Sequence, residues 1–95
     1  MVKEGRWEIV VCDRGFILAG IVRPGPDPLT IEVDRCQCVR RWGTTGGLGQ
    51  LAATGPVAET KLDSEGDGVL VSLLHVFRRI PVSEKGAAAW TRRTS

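Results

Sequence analysis

Two arginines, a tryptophan and a run of glycines stand side by side in Arg40-Arg41-Trp42-Gly43-Thr44-Thr45-Gly46-Gly47-Leu48-Gly49. Each of these residue types has a use in holding a phosphate-bearing ligand. A guanidinium offers a planar fork of donors to phosphate oxygens, and an indole offers a flat face on which a base can stack. Glycines ahead of a helix let backbone amides approach an anion, and the helix start adds partial positive charge. The segment lacks the lysine and hydroxyl of a P-loop and the spacing of a dinucleotide fingerprint. It therefore points to phosphate affinity without specifying a nucleotide-binding fold. The candidate ligand-binding set is Arg40, Arg41, Trp42, Thr44, Thr45, Gly46 and Gly47, with the amides through Gly49 contributing. The competing account is structural: the glycines turn a strand into a helix, Trp42 fills the core, and one arginine pairs with an acid.

Other reactive residue types carry less. Arg78 and Arg79 are neighbours on an expected strand and so point to opposite faces, which lets at most one of them join a given site. Both suit the role of charged guards on a sheet edge. Cys12, Cys36, Cys38 and His75 are the right number for a tetrahedral zinc site, but no Cys-x-x-Cys knuckle is present, so neither metal nor cofactor is expected. His75 lies in the apolar run Leu73-Leu74-His75-Val76-Phe77 and reads as a core histidine. No serine or cysteine stands in a nucleophile motif. The carboxylates of Asp63, Glu65 and Asp67 read as a turn, and an EF-hand reading fails on a misplaced glycine. The expected function is binding, without catalysis.

Charge narrows the ligand. The 95 residues carry 13 basic and 11 acidic side chains, a net +2, and ten of the 13 basic residues are arginine. That balance is too mild for a long nucleic acid but suits a compact anion gripped by a few forks. No stretch approaches the roughly 20 apolar residues of a membrane span. The opening Met1-Val2-Lys3-Glu4-Gly5-Arg6 has no signal-peptide core, and the odd cysteine count fits reduced thiols, so a cytoplasmic location is expected. A chain this short gains from self-association, and a homo-oligomer is expected.

These residues need a scaffold. Arg6 to Asp13 and Phe16 to Val22 read as a hairpin turning at Asp13-Arg14-Gly15, with Gly20 marking a bulge or a close backbone approach. In its second arm Phe16, Leu18 and Val22 share one face while Ile17, Ala19 and Ile21 share the other. Both faces must be covered; one cover is the domain's own core, and a partner subunit is a candidate for the other. Pro24 to Pro28 is a loop. Leu29, Ile31 and Val33 alternate as a half-buried strand, and a bulge near Asp34-Arg35 turns Cys36 and Cys38 inward before a strand over 37–42. Leu48, Leu51 and Ala52 recur at helical spacing, with Thr44 or Thr45 as cap and Gly55-Pro56 as stop. Residues 57–68 read as polar chain ending in a turn, 69–81 as a strand or bent strand pair, and 83–90 as a short helix. The fold class is α+β and β-rich: a small antiparallel sheet or partly open barrel of about five or six strands with one or two short helices. A single domain is expected over 1–91, followed by a disordered basic tail over 92–95.

The residues Arg41-Trp42-Gly43, Gly47-Leu48-Gly49-Gln50-Leu51-Ala52, Gly55-Pro56 and Thr60-Lys61-Leu62-Asp63 give the chain a recognisable layout. A hairpin of the Cys12-Asp13-Arg14-Gly15-Phe16 to Gly20 kind precedes them, and Ile80-Pro81-Val82 closes a late strand. In this layout the chain resembles a family of small uncharacterised bacteriophage and prophage proteins. The resemblance brings no site residues with it. It implies an accessory protein acting against host defence, which sequesters a small nucleotide such as a cyclic oligonucleotide signal, in the host cytoplasm and in a pocket commonly built between subunits. The alternative it implies is a protein-protein interaction module inhibiting a host defence or nucleic-acid enzyme, through the acidic stretch Glu59 to Asp67 or the hairpin. A virion component is a third reading.

Overall fold

The computed structural model describes residues 5–94. They form an α+β, β-rich domain of six antiparallel strands and two helices. The elements run β1 (Arg6–Cys12), β2 (Ile17–Pro24), β3 (Thr30–Arg41), α1 (Gly47–Thr54), β4 (Lys61–Gly66), β5 (Val69–Ser72), β6 (Val76–Pro81) and α2 (Glu84–Thr94). The sheet order is β4-β3-β2-β1-β6, and β5 pairs with β3 beyond the end of β4. No helix among the described residues is long and apolar enough to cross a membrane.

The sheet cannot be flat. β5 and β6 lie at opposite margins, separated by β3, β2 and β1, yet only the 3₁₀ turn Leu73–His75 joins them. Four peptide units reach about 14 Å at most, whereas four strand spacings in a flat sheet span about 19 Å. The sheet therefore curls strongly, toward a partly open barrel. Inside the curl Val10, Leu18, Val22, Ile31, Val33 and Cys36 pack with Val69, Val71, Leu73 and Val76. On the other face Trp7, Ile9, Ile17, Ala19 and Val39 pack under Leu51 and Ala52 of α1 and Trp90 of α2. The two apolar faces of β2 are thus covered as their alternation requires, but both covers come from this chain. The helices supply the second layer, for which a partner subunit is the candidate by sequence.

The bulge expected at Asp34-Arg35 is present. The register slips between Ala19 and Ile21 opposite it, and Arg35 takes φ 51°. Gly20 belongs to the same feature, because a Cβ there would stand 2.4 Å from Val33 Cγ1 and 2.7 Å from Asp34 O. The slip buries Cys36 and leaves Cys38 half-buried. The two strands expected on either side of the bulge are one continuous β3, which begins after the exposed Leu29 and ends before Trp42. Asp67 accepts from the Arg35 amide at 2.7 Å and Asp34 accepts from the Gly68 amide at 2.9 Å, a reciprocal staple across the break between β4 and β5. Arg23 donates to both Asp34 and Glu32.

That staple makes acid stability testable. Hydrogen bonding from Arg23, with the Gly68 amide adding to it, holds the Asp34 carboxyl below its ordinary value. A carboxyl depressed in the folded state contributes stability that is present above its unfolded pKa, about 3.9, and is lost as pH falls through the folded value. Urea melts taken across this range should show the wild-type losing stability below about pH 4, with a shallower fall in Asp34→Asn. Parallel pH profiles for the two proteins would contradict the staple.

Residues 61–66, read as polar chain, form β4 on the margin of β3. Neither Thr44 nor Thr45 caps α1; Gly46 occupies the cap position without a side-chain bond, and Gln50 Oε1 reaches back to the Gly46 amide at 2.7 Å. Helix α2 continues through Thr94, so Arg92 and Arg93, assigned to a disordered tail, are helical. Ser95 lies outside the described residues.

Candidate ligand-binding corner

The end of β3 is irregular in a way that gathers positive charge. Val39 pairs with Leu62 and Arg41 with Lys61, so Arg40 is an extra residue in the ladder. Directly opposed residues share a sheet face, as do alternate residues of one strand. Arg41, Lys61 and Asp63 consequently lie on one face, and Arg40 joins them, its Nε 2.9 Å from Asp63 Oδ2. One carboxylate thus stands among three cations. Like charges directly opposed in a ladder are destabilising, so the Arg41 and Lys61 pair is unfavourable by itself.

Trp42 follows this cluster and is 44% exposed. The core is filled by the other two tryptophans, Trp7 and Trp90, whose rings stack with centroids 5.8 Å apart. The Trp42 backbone is nevertheless fixed. Its carbonyl accepts from Thr60 Oγ1 at 2.6 Å, and Gly43, at φ 73°, lies so close to the Glu59-Thr60 peptide that a Cβ would stand 2.6 Å from the Glu59 carbonyl carbon. Arg93 of α2 reaches the same loop, donating to the carbonyls of Val57 at 3.3 Å and Thr60 at 3.4 Å. The Trp42 backbone and the Arg93 guanidinium therefore meet at the Thr60 loop, next in the chain to the Arg41 and Lys61 pair.

The glycine segment contributes less to a ligand than its sequence implies. Thr44 is buried and its Oγ1 donates to Gly47 O at 2.5 Å, while the Gly47 amide donates back to Thr44 O at 3.2 Å. The Gly46 amide is taken by Gln50, and the exposed Thr45 hydroxyl lies 3.4 Å from the same Gln50 oxygen. A ligand would have to displace Gln50 to use Gly46. The amides of Leu48 and Gly49 belong to the first turn of α1, where a helix has no partners of its own to offer. Of the candidate set, Arg40, Arg41, Trp42 and Thr45 present side chains to solvent, and Thr44, Gly46 and Gly47 are bonded within the protein. Lys61 and Arg93 were missed; the alternation of Lys61, Leu62 and Asp63 was the one available signal for the first.

His75, read as a core histidine, is exposed instead, with Nδ1 2.9 Å from Oδ2 of Asp13 in the turn between β1 and β2. Arg79 makes a bidentate pair with buried Glu8 at 2.6 and 3.0 Å, and Arg78 is exposed. The three cysteines are free thiols; burial pushes Cys36 up to about 12 and raises Cys12 and Cys38 as well. No group of three or more His, Cys, Asp or Glu among the described residues is placed to hold a metal ion.

No protein-family model, curated protein or solved structure matches this chain.

Proposed function

We propose that the protein binds and sequesters a small nucleotide, such as a cyclic oligonucleotide defence signal, at the Trp42 corner. The observation that carries the reading is the opposed pair Arg41 and Lys61 beside an exposed indole. Phosphate oxygens between the two cations relieve their repulsion, and the base stacks on Trp42. Arg40, already bonded to Asp63, orients the cluster from its flank. The corner is open, and a second copy of the chain would close over the ligand, which makes a homo-oligomer part of the proposal. The role is that of a non-enzymatic bacteriophage accessory protein acting in the host cytoplasm, as the likeness of its glycine and leucine pattern to small phage proteins implies.

Single substitutions test the assignment. Arg41→Ala and Lys61→Ala should each weaken nucleotide binding about tenfold or more, the scale of a charge-assisted hydrogen bond. Each should also flatten the dependence of affinity on salt. Both side chains are exposed, so the fold should be retained. Unchanged affinity in both variants would place the ligand elsewhere.

A second reading rests on a different observation. Phe16, Leu74 and Phe77 are large apolar side chains 59%, 76% and 73% exposed, the first two in the turns next to the paired ends of β1 and β6 and the third within β6. Such a surface suits a protein-protein interaction module inhibiting a host enzyme. Pull-down from host lysate separates the readings: a stoichiometric protein partner favours this one, and a co-purifying ultraviolet-absorbing ligand favours the first.

A further inference from the structure

The curl of the sheet opens at one end into a cleft of about 530 Å³, well away from Trp42 along the chain. Its apolar lining is Val22 and Ile31 from the inner core layer, with the half-buried Leu73 and the exposed Pro24 and Pro28. Three arginines complete it: Arg6 from β1, Arg23 from β2 and Arg79 from β6. Clefts of this size at the mouths of curled sheets are common places for small ligands.

The arginines differ in how they are held. Glu8, its side chain 5% exposed, grips Nε and Nη2 of Arg79. Arg23 is held through Nη1 and Nη2 by Asp34 and Glu32. These two are oriented in advance, and Nη1 of Arg79 takes no part in its carboxylate pair. Arg6 is held weakly, its Nε 3.7 Å from Glu8 Oε2 and its side chain 80% exposed, which leaves its terminal fork to a ligand. The cations are closely balanced. Glu8, Glu32 and Asp34 offset the three guanidiniums, and Asp27 on the lip adds a negative charge while it holds Leu29 N and Thr30 Oγ1. The four carboxylates outnumber the three guanidiniums, so a polyphosphate is disfavoured here; what the mouth offers an anion is directed donors, the Arg6 fork beside Arg79, which match one carboxylate on an apolar body.

We propose that this mouth is a second binding site, for a small molecule with one carboxylate and an aliphatic body. The carboxylate lies on the Arg6 fork with Arg79 beside it, and the body packs along Leu73 and Pro24 over Val22 and Ile31. The site is independent of the Trp42 corner and stands or falls apart from it.

Octanoate is a suitable probe, with octanol and octyl phosphate as controls, followed by methyl and backbone resonances of the labelled full chain. Octanoate should give saturable shifts concentrated at Val22, Ile31 and Leu73, with octanol and octyl phosphate both weaker. Arg6→Gln should weaken octanoate about tenfold, with its spectrum otherwise native because the side chain is exposed. Its nucleotide binding should stay unchanged, which keeps the two sites distinguishable. Failure of octanoate to saturate at millimolar concentration, equal binding of octanol, or an unaltered affinity in Arg6→Gln would each overturn the proposal.

Discussion

Trp90→Ala should lower the free energy of unfolding by about 3 to 5 kcal/mol. The side chain is fully buried between α1 and the sheet, its ring stacks on Trp7, and its Nε1 donates to Leu51 O at 3.3 Å. Truncation removes a large apolar area, leaves a cavity at the junction of three elements and strips the Leu51 carbonyl of that donor. Small domains have only about 5 to 15 kcal/mol in total, so the variant should be close to unfolded at physiological temperature. Denaturant melts followed by far-ultraviolet circular dichroism measure the loss, and the near-ultraviolet signal of the Trp7 and Trp90 pair should vanish. A loss below about 0.5 kcal/mol, the range of an exposed substitution, would mean that α2 does not dock as described.

The second large effect concerns two glycines in two helices, for which opposite signs are expected. Gly86 lies in the first turn of α2, where a Cβ would stand 2.1 Å from Ala52 O and 2.9 Å from Val82 Cγ1. Its amide also donates to Ser83 Oγ at 3.0 Å, capping the helix. Alanine is ordinarily the better helix former, yet here it must push α2 away from α1, and Gly86→Ala should cost about 2 to 3 kcal/mol or more. Gly49 in α1 has nothing within 4 Å of an added Cβ. Gly49→Ala should stabilise by about 0.4 to 1 kcal/mol through the unfolded chain. Melts of the two variants beside the wild-type decide it, and a stabilising Gly86→Ala would contradict the close packing of the helices.

Much of the scaffold is legible in the chain because burial imposes a period. The double-faced alternation of Ile17 to Val22 requires two covers, and the parity change at Asp34-Arg35 requires a bulge; both are present. What covers the second face is not legible, because it depends on helices far along the chain. Strand β4 carries one inward apolar side chain, Leu62, so it leaves no hydrophobic period. It is a strand because the margin of β3 offers unpaired backbone groups. The same reason hides part of the candidate site. The adjacency of Arg40, Arg41 and Trp42 is written in the sequence, whereas Lys61 and Arg93 arrive by strand pairing and helix docking. The glycine amides offer a ligand less than their sequence suggests because Gln50 and Thr44 accept from them, which adjacency alone does not reveal.

The central claim is that an anionic nucleotide completes the corner formed by Arg41, Lys61 and Trp42. Calorimetric titration of the intact protein with a panel of cyclic di- and trinucleotides tests it most directly. The account predicts saturable heat for at least one member at micromolar concentration, weakening as salt is raised and lost when Arg41 and Lys61 are both replaced by alanine. No heat from any member at that concentration would contradict it.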